Sequence, residues 1–169
     1  MNRQWLDGMW DHMRQKYGMY LRVIDSIPED RFHGTPIPGM RTPAQLVVHT
    51  SGSIVAEIAE GVAAGSIQAD ETGEEALAAA LKTKADVLDF ARNRWERADA
   101  AIGAVGDSNL NGEVQNSWGI PLNGFFAMIV LNDEFMHHRG QLYAYARACG
   151  AEPPFMWSFG ENPPGFRPG

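Results

Sequence analysis

The feature that most constrains this chain is a long apolar segment, residues 121–148, whose spacing predicts one helix. Inside it, the stretch 132–142 carries an unusual density of acidic, histidine and arginine side chains. Glu134 and His138 are four residues apart, so they are neighbours on one helix face, which they share with apolar side chains. A buried carboxylate is costly unless it is paired or binds a metal. We therefore interpret this stretch as one half of a metal site in a helical protein.

Two further helices are indicated upstream. Over residues 3–26, apolar side chains recur at steps of three and four positions, which is the period of a helix with one buried face. Thr42 is a good N-cap, Pro43 suits the first helical position, and Gln45 would complete a capping box. A second helix is therefore predicted to begin there and to end near Gly65.

A third helix is predicted from Thr72, as its N-cap, to about Ile102. Glu74 and Glu75 fall in its first turn, where the helix dipole favours negative charge. The segment is rich in charged side chains and contains no histidine. We interpret this helix as structural.

The segments between these helices are typical of loops. Proline and glycine are dense in residues 28–41, and a short extended piece is expected at 113–118, within the glycine-rich stretch 103–120. Four helices with almost no alternating apolar pattern predict an all-α fold, an antiparallel four-helix bundle, as a single domain over residues 1–169. The tail, residues 152–169, is irregular and aromatic, so we expect it to pack on the body of the protein or on a second subunit.

Composition excludes several functional classes. Hydrophobic residues make up 44% of the chain, enough for a core, and the net charge of -7 without a basic cluster disfavours nucleic-acid binding. Cys149 is the single cysteine, so an internal disulfide is impossible, which fits a reducing cytoplasm. The N-terminus shows no apolar core of a secretion signal, and no run approaches about 18 uninterrupted apolar residues. We expect a soluble, cytoplasmic protein with no membrane segment.

The second half of the metal site is expected from His49, on the apolar side of the predicted second helix. His49, Glu134 and His138 would form a set of two histidines and one carboxylate, which leaves coordination positions open as in catalytic sites. His137 points about one hundred degrees away from His138 on a helix, so we expect it to support the site or to replace Glu134 as third ligand. Without a metal, Glu134 could instead hydrogen-bond His138 or form an ion pair with Arg139.

These motifs resemble a known family. The run from His137 to Leu142, His-His-Arg-Gly-Gln-Leu, is similar to the signature of the DinB/YfiT-like superfamily of metal-dependent enzymes, and Leu-Val-Val-His, ending at His49, is similar to its first ligand motif. The resemblance implies an antiparallel four-helix bundle with a metal held by three residues, usually all histidine. His49 and His138 match two of these positions, whereas Glu134 stands where the third is often histidine.

The resemblance also implies a class of function. It suggests a divalent metal, Zn or Ni, and the Glu134 carboxylate makes Mn or Fe(II) compatible as well. The activity expected is a metal-dependent hydrolase or a transferase that uses a small-molecule thiol as co-substrate, acting on a small molecule, with no catalytic side chain assigned. The alternative is a non-enzymatic, stress-associated protein in which the metal is structural. A homodimer is expected from the aromatic tail and the apolar first helix, in agreement with the resemblance.

Overall fold

The computed structural model describes residues 1–68 and 71–169, which are predominantly helical. The helical elements are α1 (Arg3–Ser26), α2 (Pro43–Val48), a π-helical segment (His49–Ala56), α3 (Glu57–Ala64), α4 (Glu74–Ala80), α5 (Lys84–Gly103), α6 (Asp107–Asn111) and α7 (Gly124–Ala148). Two short strands, β1 (Ser66–Ile67) and β2 (Gln115–Asn116), pair in parallel. Single 3₁₀ turns cover Glu29–Arg31 and Phe159–Glu161. The predicted all-α class is confirmed, with the small strand pair as an addition.

The first two predicted helices are confirmed in position. The side chain of Asn2 accepts a hydrogen bond from the backbone of Trp5 and so begins α1, which spans the predicted residues. Thr42 and Gln45 form the predicted capping box at the start of α2. Gly65 ends α3 with a φ of 80°, a left-handed conformation that glycine adopts without steric cost.

The helix Pro43–Ala64 is continuous, but its centre is π-helical, which the sequence did not predict. Every residue of the π-helical segment His49–Ala56 is buried. By length and composition the helix would also suit a membrane span, yet 78% of its most apolar window is buried inside the protein. It therefore occupies the position of a core helix.

The prediction of one third helix from Thr72 to Ile102 is wrong. The chain forms two helices, α4 and α5, because the backbone is extended at Leu81 and Thr83. The Thr83 side chain accepts from the backbone of Asp86, and the Asp86 carboxylate accepts from the backbone of Thr83. This capping box starts a new helix and ends the old one. Gly73, not Thr72, directly precedes α4.

The last helix was predicted to begin at Pro121 but begins at Gly124, three residues later. Asn123 is its N-cap, with its side chain accepting from the backbone of Phe126 at 2.9 Å. The extended piece expected at 113–118 is confirmed as β2, and Glu113 also bridges to Asn123. These contacts hold the loop before α7 beside the start of that helix.

The core lies where α1 and the continuous helix Pro43–Ala64 each contact both α5 and α7. Trp10 and Trp95 stack with ring centroids 4.7 Å apart and join α1 to α5. The Tyr17 hydroxyl donates to the carbonyl of Ala91 at 2.8 Å and lies 2.9 Å from Ser51 Oγ. One buried hydroxyl therefore ties α1 to α5 and to the π-helical segment.

The tail packs on the body of the protein, which is one of the two positions predicted for it. Asn162 is fully buried and donates through Nδ2 to the backbone carbonyl of Gln15 at 2.8 Å. Phe166 lies over Tyr17 with ring centroids 6.2 Å apart. By contrast, Phe155 and Trp157 are 71% and 61% exposed, so part of the aromatic tail faces solvent.

Candidate metal centre

His49 is the first residue of the π-helical segment, and its side chain is buried. Its Nδ1 lies 2.8 Å from Glu74 Oε1, on the first turn of α4. The Ser53 hydroxyl, one turn further along the same helix, donates to the same carboxylate oxygen at 2.5 Å. The two helices are thus joined at a single carboxylate oxygen that fixes the orientation of the His49 ring.

The ionisation of Glu74 decides which nitrogen of His49 carries the proton. Burial alone would raise the pKa of the Glu74 carboxyl, but hydrogen bonds from His49 and Ser53 outweigh it and hold the pKa below its ordinary value. The ionised carboxylate can only accept hydrogen bonds. The proton of a neutral His49 ring therefore sits on Nδ1, and the lone pair of Nε2 remains available to a ligand.

His138 is held by a similar contact on α7. Its Nδ1 lies 2.9 Å from Gln141 Oε1, and Gln141 Nε2 lies 2.9 Å from Nε2 of the exposed His137. An amide oxygen accepts only, so Nδ1 of His138 donates and its Nε2 is left with a lone pair. Burial, opposed by the hydrogen bond to Gln141, lowers the pKa of His138 below its ordinary value, and the neighbouring His49 and His137 lower it further. The ring is therefore neutral near pH 7, the form that binds metals.

His138 lies beside both of the other sequence-predicted ligands, His49 and Glu134. The rings of His49 and His138 are perpendicular, with centroids 4.8 Å apart, and His138 Nε2 lies 3.6 Å from Glu134 Oε2. That separation exceeds a hydrogen bond, so the alternative of a direct Glu134–His138 bond is not formed. In the described ranges 1–68 and 71–169, Glu134 also forms no ion pair with Arg139.

The expectation that Glu134 is buried is wrong, because its side chain is 49% exposed. The helix turns Glu134 toward the rim of the site and His138 toward the interior. The cost of burying an unpaired carboxylate therefore does not apply to Glu134, and the two histidines are the stronger indication of a metal.

Two site residues were missed by the sequence analysis. Glu71 and Glu74 each offer a carboxylate oxygen that lies within 4.8 Å of the other and of a His49 nitrogen, close enough for the three to hold one cation. Glu71 Oε1 is 4.0 Å from His49 Nδ1, and Arg41 Nη2 approaches the other Glu71 oxygen at 3.4 Å. The sequence offered only one signal for Glu74, a carboxylate in a first helical turn, and that has an ordinary structural explanation.

A cavity of about 290 Å³ opens beside these side chains. His49, Glu71 and Glu134 supply its charged or polar wall together with Ser53. The remaining wall is apolar and is formed by Ile54, Ile58, Trp118, Ile120 and Val130. Trp118 and Ile120 come from the loop before α7 and are 40% and 48% exposed, so this loop forms the mouth of the cavity.

Comparison with known proteins decides the family. The sequence profile of the DinB superfamily matches residues 12–142, well over half of the chain. The chain belongs to the DinB superfamily. The crystal structure of YjoA, a DinB-like protein from Bacillus subtilis, superimposes with a TM-score of 0.71 at 19% sequence identity, covering 88% of this chain and 96% of that one. No protein with curated annotation matches the sequence. The suspected membership is confirmed, and the YjoA likeness shows a shared fold.

The side chains of this DinB-superfamily protein fit a divalent cation. His49 and His138 each have Nδ1 engaged by an acceptor, which leaves two imidazole lone pairs on adjacent, perpendicular rings. Metal-binding histidines in proteins usually have their second nitrogen engaged in this way, because the contact fixes the tautomer and the ring orientation. Three carboxylates, those of Glu71, Glu74 and Glu134, lie within reach of one or other ring. A set of imidazole and carboxylate donors suits a divalent transition-metal ion.

Proposed function

We propose that this DinB-superfamily protein is a metal-dependent enzyme acting on a small molecule, as a hydrolase or as a transferase that uses a small-molecule thiol. The metal ligands proposed are His49, Glu134 and His138. The observation that carries the proposal is the pair of imidazoles, each oriented through Nδ1, beside a largely apolar cavity. Glu74 and Gln141 would orient the ligands rather than bind the metal.

The proton on His49 favours this ligand set over His49, Glu71 and Glu74. The second set places its carboxylates around Nδ1, where the hydrogen bond to Glu74 requires a proton. Binding through Nδ1 would therefore cost both that proton and the hydrogen bond. Binding through Nε2 keeps both and is oriented by them. Glu134 is then the carboxylate nearest to the second histidine.

A bound divalent cation with an open coordination position would supply Lewis-acid chemistry. It would polarise a substrate atom, or lower the pKa of an oxygen or sulfur ligand that carries a proton. The chain's own residues would bind and orient the substrate. The apolar wall around Ile54, Ile58 and Val130 would contact the substrate, and the loop with Trp118 lies at the mouth of the cavity. A small molecule with an apolar portion is the substrate class that this wall favours, and no side chain is assigned as a general acid or base.

The alternative is a metal-binding protein without catalysis, in which the metal is structural. One observation favours it, since Glu71 and Glu74 lie close enough to His49 to fill coordination positions that catalysis would need open. A saturated cation would then join the π-helical segment, α4 and α7 without accepting a substrate. The two functions differ in whether a small molecule can reach the metal.

We further propose the wider organisation expected from the sequence. The four long helical segments would form an antiparallel bundle in a single domain, which is supported by the contacts of α1 and the continuous helix with both α5 and α7. The solvent-facing Phe155 and Trp157 support a homodimer. A cytoplasmic location, without nucleic-acid or membrane partners, agrees with the net charge of -7 and the buried apolar helix.

Metal analysis of untagged protein tests the proposal. Plasma mass spectrometry should find about one divalent metal per chain after loading, and His138→Ala and Glu134→Ala should each lose it. His33→Ala, at an exposed loop histidine, is the matched control and should keep the metal. If Glu134→Ala keeps the metal and Glu71→Ala loses it, the ligands are His49, Glu71 and Glu74 instead of the proposed set. An unloaded wild-type protein after exposure to Zn, Ni, Mn and Fe(II) would overturn both.

A second measurement separates the enzyme from the structural alternative. A small thiol, 2-mercaptoethanol, is added to Ni-loaded protein while the visible absorption is recorded. A saturable spectral change would indicate a position open to small molecules. An unchanged spectrum in a fully loaded protein would favour the structural metal. Trp118→Ala, at the mouth of the cavity, should leave metal content unchanged while altering thiol affinity.

A further inference from the structure

A second cavity, of about 760 Å³, lies against α7 and is bordered by the tail segment 152–156. Arg139, Tyr143 and Arg147, at successive turns of α7, form one wall. The opposite wall is mostly apolar and consists of Pro153, Pro154, Phe155 and Met156, with Met136 from α7. None of the three proposed metal ligands lines this cavity. Its volume is that of a pocket for a small organic molecule.

Arg139 is the buried charge of this cavity. It is 5% exposed, and among residues 1–68 and 71–169 no side chain or carbonyl forms a hydrogen bond or ion pair with its guanidinium. A second buried cation, Lys16 of α1, has the neutral amide oxygen of Asn132 as its hydrogen-bond acceptor, at 2.7 Å. A buried cation without an anionic partner is expensive.

Tyr143 adds an unused hydrogen-bond donor to the same wall. Its side chain is 9% exposed, and its hydroxyl is buried without a hydrogen-bond partner in the described part of the chain. An unsatisfied buried hydroxyl costs stability in the free protein, so a ligand that accepts from it recovers that cost. Arg147 lies over the Tyr143 ring, with its guanidinium carbon 5.9 Å from the ring centroid, and provides a second positive charge.

We propose that this cavity binds a small organic monoanion, with its carboxylate on Arg139 and the Tyr143 hydroxyl and its apolar body along the proline and Phe155 wall. A guanidinium matches a carboxylate in geometry and charge. Among the lining residues, Arg139 and Arg147 contribute two positive charges and the exposed Glu152 one negative charge. The lining is therefore net positive, and one buried guanidinium with one hydroxyl donor suits a monocarboxylate better than a dianionic phosphate ester. The site is independent of the proposed metal function.

Calorimetry with three ligands that share one apolar chain tests the proposal. Hexanoate should bind saturably, and 1-hexanol, which lacks the charge, should bind at least about tenfold more weakly because it forfeits a charge-assisted hydrogen bond. Equal binding of 1-hexanol would reduce the site to an apolar cavity and overturn the proposal, as would the absence of hexanoate binding. Hexyl phosphate is the third ligand, and equal or tighter binding of it would overturn the choice of a carboxylate.

Variants then locate the binding. Arg139→Gln should weaken hexanoate binding about tenfold or more. Tyr143→Phe should also weaken it, yet it should not lower the melting temperature, because the hydroxyl that it removes has no partner in the free protein. Arg92→Gln, at an exposed arginine of α5, is the control and should bind like wild type. Undiminished binding in folded Tyr143→Phe, or a dependence on loaded metal, would place hexanoate elsewhere.

Discussion

The imidazole Nδ1 of His49 lies 2.8 Å from a carboxylate oxygen of Glu74, and this contact joins the π-helical segment to the first turn of α4. It fixes both the tautomer and the orientation of a proposed metal ligand. The carboxylate comes from a helix without histidine, which the sequence analysis interpreted as structural. The orientation of the site therefore depends on the packing of α4 against α2, beyond the residues that would touch the metal.

Glu74→Gln should weaken metal binding by about 10- to 100-fold, the usual effect of losing a carboxylate behind a metal-binding histidine. The amide keeps the size of the side chain but removes the charge that holds the proton on Nδ1. Competition with a chromogenic chelator measures the affinity. Glu75→Gln makes the same change at the next, exposed residue and should bind metal like wild type. Equal affinities in the two variants would contradict an orienting role for Glu74.

The stability of the metal-free protein should fall as the pH is lowered from 7 through about 6.5, the ordinary value for histidine. The folded-state pKa of His138 is lowered, first by burial, so the unfolded chain takes up more protons than the folded chain in this window. The free energy of unfolding must then decrease with falling pH, until the pH is also below the folded-state pKa. Urea denaturation in the presence of a chelator at a series of pH values measures the slope.

His138→Gln removes that contribution and should flatten the pH dependence between about pH 7 and the lowered value. The amide cannot take up a proton in either state. His33→Gln, at an exposed loop position, should keep the wild-type slope. An unchanged slope in a folded His138→Gln protein would show that other groups govern the acid sensitivity.

The helices could be predicted wherever local chemistry decides their ends. Apolar spacing located α1, and the capping box of Thr42 and Gln45 located α2, because these signals act within one turn of the chain. The break before α5 also had a local signal, Thr83 followed by Asp86, which the high helix propensity of the alanine-rich segment before it obscured. No comparable local sequence signal marks the π-helical segment. It accompanies the burial of a whole stretch of small side chains by neighbouring helices.

The site was predictable only in part for the same reason. Glu134 and His138 share a helix, so their proximity follows from the period alone, and His49 was suggested by its position on an apolar face together with the family resemblance. Glu74 is 25 positions from His49 in sequence, and the contact depends on the angle at which α4 crosses the continuous helix. No pattern within either segment specifies that angle. The exposure of Glu134 was likewise decided by packing.

Tyr17→Phe should destabilise the protein by about 1–3 kcal/mol, because the buried hydroxyl is shared between Ser51 and the carbonyl of Ala91. A double-mutant cycle with Ser51→Ala isolates the first contact. Residues in direct contact typically show coupling energies of about 0.5–3 kcal/mol. Chemical denaturation of the four proteins measures it. A coupling near zero would mean that the carbonyl alone accounts for the effect.

Gly18→Ala should destabilise the protein by about 1–3 kcal/mol through overpacking. A Cβ built at Gly18 would lie 2.5 Å from Cβ of Phe166 and 2.6 Å from Nδ2 of Asn162, closer than real atoms approach. Because Asn162 is itself fixed by its bond to the carbonyl of Gln15, the neighbour cannot simply rotate away. The tail must lift, which takes the Phe166 ring off Tyr17. Thermal denaturation and proteolysis of the tail should report the change together.

Gly8→Ala provides the matched control for the tail, because it makes the same substitution in the same helix at a position with no atom within 4 Å. There the gain in helix propensity should stabilise the protein by about 0.5–1 kcal/mol. The same gain is available at Gly18, so the difference between the two variants measures the steric contact alone. Two variants of equal stability, with the tail equally resistant to protease, would show that residues 162–166 do not rest on α1 in solution.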